Sequence, residues 1–474
     1  MTDSRDSYSP ERRTALVLTG VGADGVYHAG VLRALDEAGV KIDLVAGRGM
    51  GAIGAVLAAV DGTERLWRPR GLWRVPAVAR LYGWRWPVRT ILALLTALAI
   101  VIASPLLLIA LVVPLYPLGL VLGMIGLDSG AALVDGYSRL VGRAFAPDAL
   151  PTWLPRVIAA LTLATAAALA AGSALAWWQA PLRRRLVGNR AWALLGAPLD
   201  SSRAVAHFTT GIWDLLRGGG AITPPRAREL SRRFCDLLTD NLGQPGFREL
   251  LLVVHDLDAR RDLVFGLVRE PFRRALFPPP TAPSTRRAEG FDLAGLAREH
   301  LLDPLRAALS VPGLTEPALV PFGADTYWRG EVHRLTDRPA ALGRLLEEAA
   351  AAGAEQAIVV SAAAEPPTAH ELVAPRIDAL GRLSEQAASA EASALRDALH
   401  HQVHRFRGVY AIRPSHNPVR ALDLAGVYDE RSDRRQSLDE LMERGYEDAY
   451  RQFIEPLVGG SGERMKGMTA SDED

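Results

Sequence analysis

The sequence predicts an α/β domain with a mostly parallel sheet, interrupted by a transmembrane helical hairpin. Three observations carry this. Short apolar strands alternate with helices near the start, as in "ALVLT" (Ala15–Thr19) followed by a glycine loop and a helix. In the middle, Ile91 to Leu127 contains no charged residue, and a second apolar run follows at Val157–Trp178. Beyond these runs the strand-and-helix style resumes, so the hairpin reads as an insertion into one domain.

Taken in order, residues 1–13 form a polar tail without the apolar core of a cleavable signal peptide. The first part of the α/β domain spans 14–87. After Ala15–Thr19, a helix runs from Val26 to about Ala38, and Gly39 stops it as a C-terminal cap. A second strand, Ile42–Ala46, leads into a helix from Met50 to about Val60. A β-loop-α-β-loop-α order implies parallel strands covered by helices. The insertion takes 88–180 and the second part of the domain 181–458. There "ELLLVVHDLDARRDLVFGLV" (Glu249–Val268) reads as two strands around a polar turn. Gln356–Ala362 and Gly408–Pro414 read as buried strands. Phe277–Gly290 is a Pro-rich surface loop. Ser437–Val458 is an amphipathic helix ended by Pro456, and 459–474 is an acidic tail.

Composition excludes several classes. A formal net charge of +1 argues against a nucleic-acid partner. Cys235 is the only cysteine, so there is no internal disulfide and a reducing compartment is expected. The excess of Ala, Arg and Gly over Lys points to a high-GC bacterial source. No motif calls for a cofactor.

A membrane span needs roughly 20 apolar residues, and both runs supply them. Neither has the polar stripe of a half-buried core helix. Pro105, Pro114 and Pro117 interrupt the first run, which reads as one kinked span, a span plus a re-entrant piece, or two spans. Arginines, including Arg80, Arg85 and Arg89, precede it, and Arg183, Arg184 and Arg185 follow the second run. The positive-inside rule then favours two spans, with the soluble domain and both termini on the cytoplasmic side of the inner membrane. Trp84, Trp86, Trp153, Trp177 and Trp178 sit where an interfacial aromatic belt belongs. The flanking arginines suit anionic phospholipid headgroups.

Two glycine loops carry what chemistry the sequence offers. Gly20-Val21-Gly22-Ala23-Asp24-Gly25 joins strand to helix, and Gly47-Arg48-Gly49-Met50-Gly51 does so again. The first alone is a GxGxxG dinucleotide fingerprint, but the acidic partner expected at the end of the second strand is absent; Asp43 stands near its start. Both loops together suit an acyl hydrolase, with backbone donors for an oxyanion and a strand-turn-helix nucleophile elbow.

The stretch "LVLTGVGADGVYHAGVLRALDEAGVKIDLVAGRGMGAIGAVLAA" (Leu16–Ala59) closely resembles the start of the patatin-like phospholipases. The family's GGGxRG oxyanion loop falls on Gly20–Gly25 and its GxSxG elbow on Gly47–Gly51. "FRELLLVVHDLDARRDLVF" (Phe247–Phe265), "ALSVPGLTEPALV" (Ala308–Val320) and Gly426–Pro456 resemble later parts of that family. The resemblance implies a patatin-type three-layer α/β/α fold and a Ser-Asp dyad. Here the usual arginine of the loop is Asp24, the nucleophile position is Gly49, and the acid position falls on Arg329 in "YWRGEV". The alternative alignment places Phe322 there, and the nearby Asp325 is followed by threonine instead of glycine. Glycine has nothing to attack with, and an arginine is not a base at physiological pH.

The sequence therefore leads to a membrane-anchored, patatin-like pseudoenzyme that binds lipid or acyl groups or acts as a scaffold, alone or with a membrane-protein partner. The alternative is an active lipid acyl hydrolase with a non-standard nucleophile. Other constellations are weaker. His400, His401 and His404 form an HHxxH run without a third ligand type, so no metal site is expected. His28 has the choice of facing the pocket or the core. Asp429–Arg435 reads as a surface ion-pair network, and Ser310 and Ser361 lack an elbow.

Overall fold

A computed structural model of the chain describes residues 8–126, 129–146, 153–179, 196–220, 222–279, 285–324, 326–365 and 376–457. It divides into two compact units. One is an α/β unit of Met1–Gly83 with Leu199–Asp474; the other is the inserted unit Trp84–Pro198.

The α/β unit begins with β1 (Thr14–Thr19), α1 (Asp24–Glu37), β2 (Leu44–Gly47), α2 (Gly51–Ala59) and the short α3 (Glu64–Trp67). Gly39 takes φ +62° just past α1, and the Val40 amide reaches back to the Leu35 carbonyl, which is the glycine stop the sequence implies. Among the described residues the inserted unit contains α4 (Trp86–Ala110), α5 (Val112–Met124), α6 (Ser129–Ala144) and α7 (Trp153–Gln179). The α/β unit then continues with α8 (Ser202–Arg217), α9 (Ala227–Asn241), β3 (Glu249–Asp256), β4 (Arg261–Leu267), β5 (Gly290–Asp292), α10 (Leu302–Ala308), β6 (Ala318–Pro321) and β7 (Val332–Thr336). It closes with α11 (Ala341–Ala351), β8 (Gln356–Ser361), α12 (Ala379–Gln402), β9 (Gly408–Ile412), the hairpin β10 (Val427–Asp429)–β11 (Arg434–Gln436) and α13 (Leu438–Ala449).

Strands run in the order β9-β8-β1-β2-β3-β4-β5, with β7 pairing to the end of β3 and β6 to β7. The five strands from β9 to β3 are parallel; β4 lies antiparallel to β3. Every residue of β1 and β2 is buried, as strands covered on both faces require. Their side chains alternate between two cores. Leu16, Leu18 and Val45 pack with Val31 and Leu35 of α1 and with Ile53 and Leu57 of α2. Ala15, Val17, Leu44 and Ala46 pack with Leu342, Leu345 and Leu346 of α11. Helices on both faces make three layers, as the resemblance implies. α13 crosses α1 closely: a Cβ on Gly30 would stand 1.8 Å from the Met442 carbonyl oxygen, and one on Gly445 2.3 Å from that of Tyr27. The last helix does not end at Pro456. A π-helical turn, Tyr450–Ile454, extends α13, and helix continues to Leu457.

In the inserted unit, α4 packs against α7 and α5 against α6. Two windows, Trp86–Ser104 and Leu106–Met124, are each long and apolar enough to cross a membrane, and Pro155–Ala171 is a shorter apolar stretch. α6 occupies the mixed-charge connector that the sequence left unassigned. At the base of the unit, the Arg85 amide donates to the Pro198 carbonyl at 3.1 Å, so the two ends of the insertion meet. Arg183, Arg184 and Arg185 lie outside the described residues, as do the side chains of Trp153, Trp177 and Trp178.

Candidate functional site

The elbow is built as such turns must be. β2 ends at Gly47, α2 begins at Gly51, and Gly49 between them takes φ +54°. The flanking glycines are required by packing. A Cβ on Gly47 would lie 2.6 Å from the Gly51 carbonyl oxygen, and one on Gly51 would lie 2.2 Å from that of Leu18.

The apex differs from a working site. A Cβ on Gly49 would stand 2.2 Å from the Gly20 carbonyl oxygen and 3.1 Å from Asp337 Oδ2. The same Gly20 carbonyl accepts the Met50 amide at 2.7 Å. In a serine hydrolase the amide after the nucleophile is an oxyanion donor. Here the chain's own carbonyl occupies it.

The loop Gly20–Gly25 is filled in the same way. The Val21 amide donates to Asp24 Oδ2 at 2.7 Å, and the Ala23 amide to the Ala421 carbonyl at 2.8 Å. A Cβ on Gly22 would meet that carbonyl oxygen at 1.8 Å. On the other side, a Cβ on Gly25 would meet Met50 and the buried Trp73 at 2.4 Å each. Asp24 thus takes the place of a bound anion at the loop.

Beneath the apex lies a charge network that the sequence did not disclose. Arg48 is fully buried, at 0% exposure. Its Nε donates to Asp337 Oδ1 at 3.0 Å, Nη1 to Thr19 Oγ1 and Glu391 Oε2 at 2.6 Å each, and Nη2 to Glu391 Oε1 at 2.8 Å and to Asp337 Oδ2. A guanidinium has five N–H donors, and all five are used. Glu391 comes from α12 and Asp337 from the turn after β7, so the network ties both to the ends of β1 and β2. Strand order reverses between β1 and β8, where Thr19 of the network pairs with Ser361. Open α/β sheets often bind ligands at such crevices.

Burial sets the titration here. It lifts the Asp24 carboxyl to about 7, against the Val21 amide bond and with the Glu391 charge adding. Burial also raises Asp337, against the attraction of Arg48. Arg48 ends above its ordinary value although burial works to lower it, because Asp337 and Glu391 together outweigh burial. His28 is buried and faces this region. Its Nε2 donates to the Thr19 carbonyl at 3.0 Å, and burial, with the Arg48 charge adding, lowers it to about 4. The imidazole is therefore neutral at pH 7, and Nδ1 has no partner among the described residues.

Arg329 sits apart from this network, in an exposed turn before β7 at φ +45°, its amide on the Thr326 carbonyl. Phe322 is buried in the core; Asp325 lies outside the described residues. The carboxylate beside the apex is Asp337, ten positions beyond Tyr327 of the "YWRGEV" motif. Near that turn, His333 Nδ1 meets Asp256 Oδ2 at 2.5 Å, both buried. Ser310 Oγ donates to the Arg306 carbonyl, and Ser361 Oγ accepts the Ala363 amide. His400, His401 and His404 are exposed at and beyond the end of α12. Among the described residues no group of three His, Cys, Asp or Glu is placed to hold a metal. Asp429 is an anchor of its hairpin, held by His416 and Ser432. Arg80 is exposed before the insertion; Arg89 is exposed in the first turn of α4.

No family model matches the chain. A stretch of 52 residues, 11% of the chain, is 60% identical to patatin-like phospholipase domain-containing protein 6 of Mus musculus and of Homo sapiens. A stretch of 50 residues is 50% identical to lysophospholipase nte1 of Emericella nidulans. The chain spans about 4% and 3% of the length of these relatives. Among solved structures, VipD from Legionella pneumophila is 13% identical over 97% of this chain and 72% of its own, with a TM-score of 0.29.

Proposed function

We propose that this chain is a patatin-like protein, anchored by its helical insertion at the cytoplasmic face of a bacterial inner membrane, that has given up acyl-ester hydrolysis and serves as a scaffold there. The observation that carries the reading is the Met50 amide bonded to the Gly20 carbonyl beneath a glycine apex. With no nucleophile at Gly49 and the oxyanion donor occupied, neither half of the chemistry has a place. The short stretch of high identity to phospholipase-domain proteins supports descent from that family. The two membrane-length windows support anchoring, and Arg80, Arg85 and Arg89 supply charge for anionic phospholipids. An elbow closed by the chain's own Gly20 carbonyl favours a scaffold, with a membrane-protein partner, over a lipid carrier.

A serine-reactive fluorophosphonate tests this on the full chain. We expect no labelling and no hydrolysis of a lysophospholipid. Stoichiometric labelling that disappears on replacing one serine would establish an active hydrolase with another nucleophile and overturn the reading. Gly49→Ser, alone or with Arg329→Asp, should stay unlabelled, because its Cβ would run into the Gly20 carbonyl oxygen and Arg329 lies in an exposed turn.

A further inference from the structure

The insertion contains more helix than two crossings require. α4 and α5 follow one another through Leu111 alone, which keeps helical angles of φ −65° and ψ −20°. The Leu111 amide donates to the Leu107 carbonyl and the Leu115 amide to that of Leu111, so the helical ladder bridges the junction. Nothing there reverses the chain, and the two membrane-length windows are not antiparallel spans. Yet α4 and α5 together, at ~1.5 Å per residue, reach almost twice the ~30 Å of a hydrocarbon core.

The partners of each helix separate their roles. α4, of 25 residues, packs against α7, of 27, and each alone is long enough for one crossing. Within α4, residue 105 is a proline without an amide for the Val101 carbonyl, and Ser104 Oγ supplies that bond at 2.7 Å. α5 packs against α6 instead. Gly119 and Gly130 bring them together: a Cβ on Gly130 would lie 2.5 Å from the Gly119 carbonyl oxygen. Tyr137 of α6 donates its hydroxyl to the Leu108 carbonyl at 2.6 Å.

The two faces of this second pair differ. α5 carries no charged residue, and Leu120 and Met124 are 60% and 89% exposed. α6 turns Gly130, Val134 and Tyr137 toward α5 and α4 and leaves Asp135, Arg139 and Arg143 exposed. Apolar side chains gain free energy by leaving water, so α5 belongs in hydrocarbon. A charged face is costly at the bilayer centre, so α6 belongs at headgroup level.

We infer that α4 and α7 are the two crossings, that the helix bends after Leu111 at Pro114 and Pro117, which lack amides for its ladder, and that α5 and α6 thereby form a half-inserted pair in the far leaflet, with α5 among the acyl chains and Arg139 and Arg143 of α6 against lipid phosphates. This rests on the membrane attachment proposed above. The pair is an interfacial anchor of the kind amphipathic helices make, joined to a spanning hairpin. It sits at the tip of the insertion, away from the ends where Arg85 meets Pro198.

Substituted-cysteine labelling tests it in the full chain, expressed in a bacterial inner membrane. Cys235, the only cysteine, is replaced by serine. Arg89→Cys, Leu120→Cys, Ser138→Cys and Arg139→Cys are then introduced singly and probed with a membrane-impermeant maleimide. We expect Ser138→Cys and Arg139→Cys to label in intact spheroplasts and Arg89→Cys only in inverted vesicles. Leu120→Cys should label in neither until detergent is added. Labelling of the two α6 positions from the same side as Arg89→Cys, or of Leu120→Cys from either side without detergent, overturns the inference and leaves the membrane attachment standing. Release of the protein from membranes by alkaline carbonate overturns both.

Discussion

Arg48 makes the strongest claim at the scale of single residues. It stands between Gly47 and Gly49 in the turn after β2, and it uses every donor it has on two carboxylates and a hydroxyl. Removing one member of a buried ion network typically costs about 3–5 kcal/mol, because the charges left behind stay buried. Arg48→Ala should therefore lower the unfolding midpoint markedly. Arg48→Met combined with Asp337→Asn and Glu391→Gln should recover most of that loss in the same thermal melt. Failure of the triple variant to recover would assign the loss to shape instead of charge.

Asp24 and His28 make opposed contributions across mildly acidic pH. Asp24 titrates at about 7 when folded, above its ordinary 3.8. Its contribution to stability is complete below 3.8 and lost as pH rises through 7. His28 titrates at about 4, below its ordinary 6.5. Its contribution is complete above 6.5 and lost as pH falls through 4. The two slopes offset each other between pH 4 and 7. In Asp24→Asn, melting temperature should climb from pH 4 to 6.5; in His28→Asn, it should fall from pH 4 to 7. A pH profile unchanged in either variant would reject the assignment. Little of this was legible in sequence. The elbow and the loop stand out because glycines punctuate them, but Asp337 and Glu391 lie in ordinary contexts hundreds of residues from Arg48. Only the sheet order brings them to it.

Elements are legible in the sequence where periodicity is strong and not where it is weak. β1, β8 and β9 are buried runs between turn signals, and their expected positions agree with the structure to within two residues. α6 is not legible in the sequence because Gly130, Gly136 and Gly142 dilute its pattern and its charges have mixed sign. The helix start at Ser437 carries a capping box with Glu440, satisfying two orphan amides. Ser437→Ala should cost about 1 kcal/mol in a thermal or denaturant melt. Gly30→Ala acts differently, since its Cβ would meet the Met442 carbonyl oxygen and push α13 off α1. A loss of about 1–3 kcal/mol is expected, and Gly39→Ala, which meets no atom within 4 Å but sits at positive φ, is the strain-only control.

At the scale of the molecule, the plan of an α/β domain with a helical insertion is legible because its two parts carry different signatures: strands and helices with polar faces in one, charge-free runs in the other. Where the insertion begins and ends is less so. The ends meet through Arg85 and Pro198, which no composition shift marks. Excising Trp84–Pro198 and joining Gly83 to Leu199 with a short Gly-Ser linker should leave the α/β unit folded and free of membranes, with a melting temperature close to that of the full chain in detergent. Aggregation of the excised protein would mean that the α/β unit needs the insertion to fold. That meeting of ends has a further meaning in time. A segment that leaves and re-enters a sheet protein at one place can be gained or shed by a single recombination event, without moving a strand. The helical insertion and the glycine at the apex of the turn need not share a history, and lineages carrying one without the other are a thing to look for.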